Sequence, residues 1–324
     1  SGASGSNWSS TEDTYTPTTK PSDGDVVYIS ADLAYYNSTN GRYQDIDAGL
    51  ATGLNLKALY IDNSYSGNIG TSNQYLEVNI DSGGTDNELI IEGSGTIRIC
   101  LKETTGAGAC DLTVINSTGL IYLDSDDITT DIDTYTRVVG LAGSVYLGQA
   151  ETGGGSGFAI SNIENYGAVF YGSKNSSTTV ITDFILVGGT ISWDSAFGDC
   201  SFNGGGIFNW GTLTTAPSGI NYDADLVVMY KAGTFNWQCA DENTSILKKF
   251  LIYDSGSYFE GNPDTNLNFD RQLGSGSGEV SEIWNGTANF EGSAKAVSFG
   301  SGGSSITKRF SGAVNKPDAE SITW

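Results

Sequence analysis

The chain predicts an all-β fold, a single-stranded right-handed parallel β-helix whose coils hold roughly 22–25 residues. Three observations predict it. A glycine followed by four alternating residues returns again and again through the middle of the chain. Like residues fall at the same place in successive copies. No segment has the apolar period of a helix. The alternative for glycine-flanked strands is an antiparallel sandwich or meander, with strands every ~8–12 residues.

The phrase first reads Gly119-Leu120-Ile121-Tyr122-Leu123, then Gly143-Ser144-Val145-Tyr146-Leu147 and Gly167-Ala168-Val169-Phe170-Tyr171. It continues as Gly189-Thr190-Ile191-Ser192-Trp193, Gly206-Ile207-Phe208-Asn209-Trp210 and Gly233-Thr234-Phe235-Asn236-Trp237. Weaker copies start at Gly256 and Gly286. Steps between these glycines are 24, 24, 22, 17, 27, 23 and 30 residues. Side chains in a strand alternate faces, so the second and fourth positions share one face. The second-position column is Ile121, Val145, Val169, Ile191, Phe208 and Phe235, and the fourth ends in Trp193, Trp210 and Trp237. Both columns are predicted to be buried ladders. An apolar run precedes each glycine, so each unit reads strand, glycine corner, strand, polar loop. One coil cannot bury its own apolar face, and neighbours must stack to close a core. The glycines are expected at corners because they accept backbone angles that other residues resist.

Composition narrows the classes. The 324 residues include 44 glycines, 5 prolines and 11% aromatics, which is too aromatic for a disordered chain. No apolar run is long enough for a membrane helix. Ser1–Gly5 is polar, so no signal peptide is expected. Lys and Arg number 15 against 38 Asp and Glu, a net charge of −23. Binding to nucleic acid or an anionic membrane is therefore not expected, because phosphate contacts need basic patches. Of Cys100, Cys110, Cys200 and Cys239, the spacing fits no zinc site, and the chain has 0 histidines to complete one. Free buried thiols are expected, with Cys100–Cys110 as the one pair placed to close a loop.

Three regions follow in order. Residues 1–30 read as an N-terminal arm and cap, 31–262 as the β-helix, and 263–324 as a last coil with a C-terminal tail. In the first, Trp8 precedes Pro17 and the stretch Pro21-Ser22-Asp23-Gly24-Asp25-Val26-Val27-Tyr28-Ile29, a turn feeding a strand. This combination resembles the start of many virion and cell-surface β-helices, where it caps the first coil. Further on come Leu56-Lys57-Ala58-Leu59-Tyr60-Ile61, then Tyr65-Ser66-Gly67-Asn68-Ile69-Gly70 and another strand. That phrase is similar to one in tailed-phage structural proteins, where it leads into a glycine-cornered β-solenoid. The resemblance covers the N-terminal third by motif and the middle by repeat style. It implies a capsid decoration or cement protein, or a tailspike-like one.

The chemistry available is limited. Without histidine there is no Ser-His-Asp or Cys-His set. Carboxylates remain. The densest group is Asp124, Asp126, Asp127, Asp131 and Asp133. It reads first as a solvated acidic loop. The alternatives are half of a glycosidase dyad and a calcium site near Asp124, Asp126 and Asp127. A second group, Asp194, Asp199, Asp223 and Asp225, lies near the tryptophans in sequence and suggests a sugar platform if those rings are exposed. Neither group forms a convincing catalytic set, and no cofactor is expected.

The expected function is therefore a non-enzymatic virion protein. Its expected partners are further copies of itself, as a homotrimer, and the major capsid protein or another virion subunit. Trp8 in the arm and Lys308, Arg309, Phe310 and Trp324 in the basic tail are the candidate contacts. The alternative is a tailspike that recognises or cleaves host polysaccharide.

Overall fold

The computed structural model describes residues 8–9, 17–18, 21, 23–30, 36–37, 42–43, 55–72, 75–80, 87–101, 110–125, 133–148, 159–172, 180–211, 222–238, 245–261, 267–269, 280–289, 297–299, 305–308 and 311–315. Among them every regular element is a strand, with no helix. Apart from two short antiparallel pairs, Trp8–Ser9 with Pro17–Thr18 and Tyr36–Asn37 with Arg42–Tyr43, the strands stack in parallel as a β-solenoid. The chain divides into two units, Ser1–Ser161 and Asn162–Trp324.

Each coil has a leading strand before the corner and a trailing strand after it. In the first unit the leading sheet stacks Val26–Ile29, Ala58–Ile61, Glu88–Ile91 and the first halves of Cys110–Ser125 and Asp133–Leu147. The trailing sheet stacks Thr96–Leu101 on the second halves of those two long strands. Ile97, Ile121 and Val145 lie in register and are wholly buried. A parallel ladder with matched residues rules out the antiparallel sandwich.

In the second unit the leading sheet runs Val180–Leu186, Phe197–Phe202, Tyr222–Met229, Ser245–Ile252, Val280–Ile283 and Ser305–Lys308. The trailing sheet runs Val169–Gly172, Thr190–Trp193, Ile207–Trp210, Gly233–Trp237, Ser257–Gly261, Thr287–Asn289 and Ala313–Asn315. The last rung of each sheet extends the stack into the region read as a tail. Its corner repeats the glycine phrase as Gly312-Ala313-Val314-Asn315.

The tryptophan column is as predicted. Trp193 pairs with Trp210 and Trp210 with Trp237, and all three are wholly buried. The rings of Trp210 and Trp237 lie 5.3 Å apart. Indole N–H groups of Trp193 and Trp210 donate to the carbonyls of Ala196 and Ser195. Beside them Phe208, Phe235 and Phe259 stack face to face at 5.3 Å spacing. Register survives the uneven repeat lengths because the links absorb them. The 17-residue step carries only Asp194–Ala196 between Trp193 and Phe197, whereas Gly211–Asn221 separates Trp210 from Tyr222.

Two copies depart from the predicted frame. Val169 is not a ladder residue: Phe170 pairs with Ile191 and is wholly buried, while Val169 pairs with Thr190 and is half-buried. Asn165 causes the shift. Its side-chain oxygen accepts from the N–H groups of Gly167 and Ala168, and its amide donates to the carbonyls of Ala168 and Thr190. The corner is one residue longer, so Ala168 rather than Gly167 precedes the strand. With a side-chain period of two, one residue of slip exchanges inside for outside. The Gly256 copy slips likewise: Ser257 pairs with Gly233, and Phe259 rather than Tyr258 lies inside.

The corner glycines answer to two different constraints. Gly143, Gly189 and Gly206 have φ of 95°, 71° and 120°, the left-handed region that the sequence reading anticipated. Gly119 does not. A Cβ there would lie 2.0 Å from the carbonyl oxygen of Gly95, and one on Gly95 would lie 1.8 Å from that of Gly67. Stacked corners touch backbone to backbone, which leaves no room for a methyl group. At Gly233 the obstacle is the Phe202 ring, 2.3 Å from the added atom.

Stability should respond differently at three positions. Trp210→Ala should cost about 3–5 kcal/mol in denaturant unfolding. Gly119→Ala should cost about 2 kcal/mol or more through overpacking. Gly205→Ala, where nothing lies within 4 Å of the added atom, should stay within about 0.5 kcal/mol of the parent.

Candidate functional site

With the tryptophans inside, chemistry is left to the outward faces and loops. The sugar platform expected from Asp194, Asp199, Asp223 and Asp225 does not form. Asp194 is buried, while Asp199, Asp223 and Asp225 are exposed on the leading sheet, and Trp193, Trp210 and Trp237 point into the core. Sequence proximity misled here because a strand sends adjacent residues to opposite faces.

The first acidic group is only partly described. Asp124 closes the Cys110–Ser125 strand and is buried, and its main-chain carbonyl accepts from the Tyr135 hydroxyl. Asp126, Asp127 and Asp131 lie outside the described residues, as does the side chain of Asp133. Among the described residues no cluster of three metal-ligating side chains is arranged to hold an ion.

The structure does assemble one carboxylate group that sequence reading missed. Asp183 and Asp199 are register partners on adjacent rungs of the leading sheet. Adjacent strands lie ~4.8 Å apart, close to the ~5–5.5 Å that separates the two carboxyls of a retaining glycosidase. Partial burial raises the pKa of Asp183. Asp199 is raised by burial and then by the charges of Asp183 and Asp225. Asp225 itself pairs with Lys248 on the next rung. The signal was available in sequence, since aligning Phe184 with Cys200 sets Asp183 over Asp199.

Elsewhere the outward polar groups are bound to one another along the stack. Asn236 donates to Asn209, Asn209 to Ser192, and Asn289 to both carboxylate oxygens of Glu260. Glu88 accepts from the Tyr60 hydroxyl one rung back, and within one coil Glu282 accepts from the Trp284 indole. Outer aromatics stack in the same way: Tyr28 on Tyr60 at 4.8 Å, Tyr122 on Tyr146 at 4.8 Å and Tyr230 on Tyr253 at 5.7 Å. The Arg98 guanidinium covers Tyr122 at 4.8 Å. Rings stacked along the solenoid spend their faces on one another and show solvent their edges, whereas a sugar packs on a ring face.

Cys100, Cys110 and Cys200 are free thiols, as expected, and Cys239 lies outside the described residues. Burial pushes the Cys110 thiol up to about 11 and raises Cys200 as well, so neither is a ready nucleophile. Of the predicted partner contacts, Trp8 stands in a two-residue strand paired antiparallel with Pro17–Thr18, and Lys308 ends the last leading strand. Arg309, Phe310 and Trp324 lie outside the described residues.

No known protein family, curated protein or solved structure matches the chain.

The carboxylate pair has a measurable consequence. A carboxyl whose pKa is raised on folding binds its proton more tightly in the native state. Its stabilising contribution is present below the unfolded pKa and lost as pH rises through the folded one. Asp199→Asn should therefore melt above the parent at neutral pH, and the gap should close as pH falls below the ordinary carboxylate range. Thermal melts across that pH range check it.

Proposed function

We propose that this chain is a non-enzymatic structural protein of a tailed-phage virion, one that decorates or cements the capsid surface through contacts between copies and with a capsid subunit. The observation that carries the reading is the mutual engagement of the outward groups. Asparagine, tyrosine and glutamate side chains on the outer faces are largely tied to their neighbours one rung away. Such a surface stiffens each stack of coils and, among the described residues, commits these groups to one another rather than to a substrate. The resemblance of the N-terminal motifs to those of phage β-solenoid proteins supports the same reading. So does the charge of −23, which keeps a densely displayed protein soluble.

The Asp183–Asp199 pair favours a second reading, a tailspike that binds or cleaves host polysaccharide. Quantitative mass spectrometry of purified particles separates the two. A copy number near that of the major capsid subunit is expected for decoration, and a few copies per particle would overturn it in favour of the tail. Absence from particles sinks both. The enzyme question has its own assay: capsular or lipopolysaccharide cleavage by the parent, Asp183→Asn and Asp199→Asn. No cleavage by any of the three is expected. Cleavage by the parent that either substitution abolishes would establish the second reading.

A further inference from the structure

Among the described residues three tyrosine pairs stack on the outward faces, and one of them is built differently from the others. Tyr28 and Tyr60 are register partners on the first two rungs of the leading sheet, Val26–Ile29 and Ala58–Ile61. Their ring centroids lie 4.8 Å apart, with the planes 11° from parallel. That separation matches the ~4.8 Å between adjacent strands, so one ring sits over the other with little slip. Tyr28 is 46% exposed, and the Tyr60 hydroxyl donates to a Glu88 carboxylate oxygen at 2.9 Å, one rung further on. A solvent-facing phenol is thus stacked on a second phenol that already has an acceptor for its proton. The other pairs are less suited to losing electrons or to closing together. Tyr122 and Tyr146 stack at 4.8 Å, but the Arg98 guanidinium covers the Tyr122 ring, and a cation beside a ring makes an electron harder to remove. Tyr230 and Tyr253 stand 5.7 Å apart, beyond the strand spacing, and Tyr253 also meets Trp284 at 5.9 Å.

We propose that Tyr28 and Tyr60 are a site of oxidative cross-linking, where a haem peroxidase working with hydrogen peroxide joins the two phenols into dityrosine. Each phenol gives up one electron and one proton and becomes a neutral phenoxyl radical. Glu88 takes the proton of Tyr60, and water takes that of Tyr28. The two radicals pair to form one carbon–carbon bond between ring carbons ortho to the hydroxyls. The hydrogen on each of those carbons then leaves as a proton and another returns to each oxygen, restoring both phenols. The two electrons and two protons reduce one hydrogen peroxide to two waters, so the protein loses two hydrogen atoms. The bond closes residues 28–60 into a covalent loop and fastens the first rung to the second. It forms within one chain, so it stiffens that coil whether or not the chain belongs to a virion.

The test treats the dilute full chain with a haem peroxidase and hydrogen peroxide and then digests it with trypsin. Cleavage after Arg42 and Lys57 separates the two tyrosines. Dityrosine fluorescence in the monomer is expected, with a linked fragment that carries Tyr28 and Tyr60 and is lighter than its two parts by two hydrogens. Tyr28→Phe and Tyr60→Phe should each remove that fragment, and Tyr122→Phe should leave it. Glu88→Gln should slow its formation about threefold or more at neutral pH. The gap should narrow as pH nears ~10, where phenols shed the proton unaided. Circular dichroism checks the fold of each variant, and Y28F, which alters an exposed ring, carries the test if Y60F unfolds. A parent that yields no dityrosine would overturn the proposal, and so would one that yields it between chains or between other pairs but not between Tyr28 and Tyr60. Cross-linking of folded E88Q at the parental rate throughout the pH range would overturn the part given to Glu88.

Discussion

One constraint governs the solenoid: each of its described strands lies in register on the strand one coil before it, at the ~4.8 Å spacing of a parallel ladder. Every side chain then has a near-copy of its own position directly above and below. Residues that gain from meeting their own kind prosper under this rule. Tryptophan on tryptophan and phenylalanine on phenylalanine fill the core, while asparagine on asparagine and tyrosine on tyrosine knit the outer faces. Carboxylates lose under it. In the second unit's leading sheet most stand by a neutral or basic residue, with Glu282 between Leu251 and Thr307 and Asp225 joined to Lys248. Asp183 over Asp199 is the exception, and partial burial, followed by repulsion from Asp183 and Asp225, raises the Asp199 pKa.

The corners follow from the same stacking. Close approach of successive turns sets the demand for glycine at Gly95 and Gly119, and a left-handed backbone sets it at Gly189 and Gly206. Where glycine is displaced, a polar side chain takes over the corner. Asn165 makes three hydrogen bonds with Gly167 and Ala168 and a fourth to the Thr190 carbonyl, and the Ser257 hydroxyl donates to the Lys231 carbonyl one rung back. These substitutions explain why a phrase keyed to glycine loses its frame at two copies and keeps it at the others.

Sequence reading reached the fold because the repeat states its own geometry. Aligned columns ending in Trp193, Trp210 and Trp237 imply stacked coils whatever the loops do. It reached less of the surface. Asp199 and Asp225 lie near the tryptophans in sequence but face the other way, and Asp183, the register partner of Asp199, carries no such mark. The difference is not distance along the chain, since Asp183 and Asp199 are 16 residues apart and Trp193 and Trp210 are 17, but whether the strand carries the glycine that marks its frame. Inner columns repeat visibly within a phrase, but an outer pair such as Asp183 and Asp199 emerges only when leading strands are aligned with each other.

The sequence by itself determined that strands would alternate faces, that glycine corners would divide them, and that like residues would stack, because strand period and steric limits are local properties. Tertiary structure alone decided which residue of a copy faces inward at Phe170 and Phe259, which glycines yield to contact rather than torsion, and which charged groups become neighbours. Those outcomes depend on how one coil settles on the next, and a single coil carries no information about where its neighbour's backbone will lie.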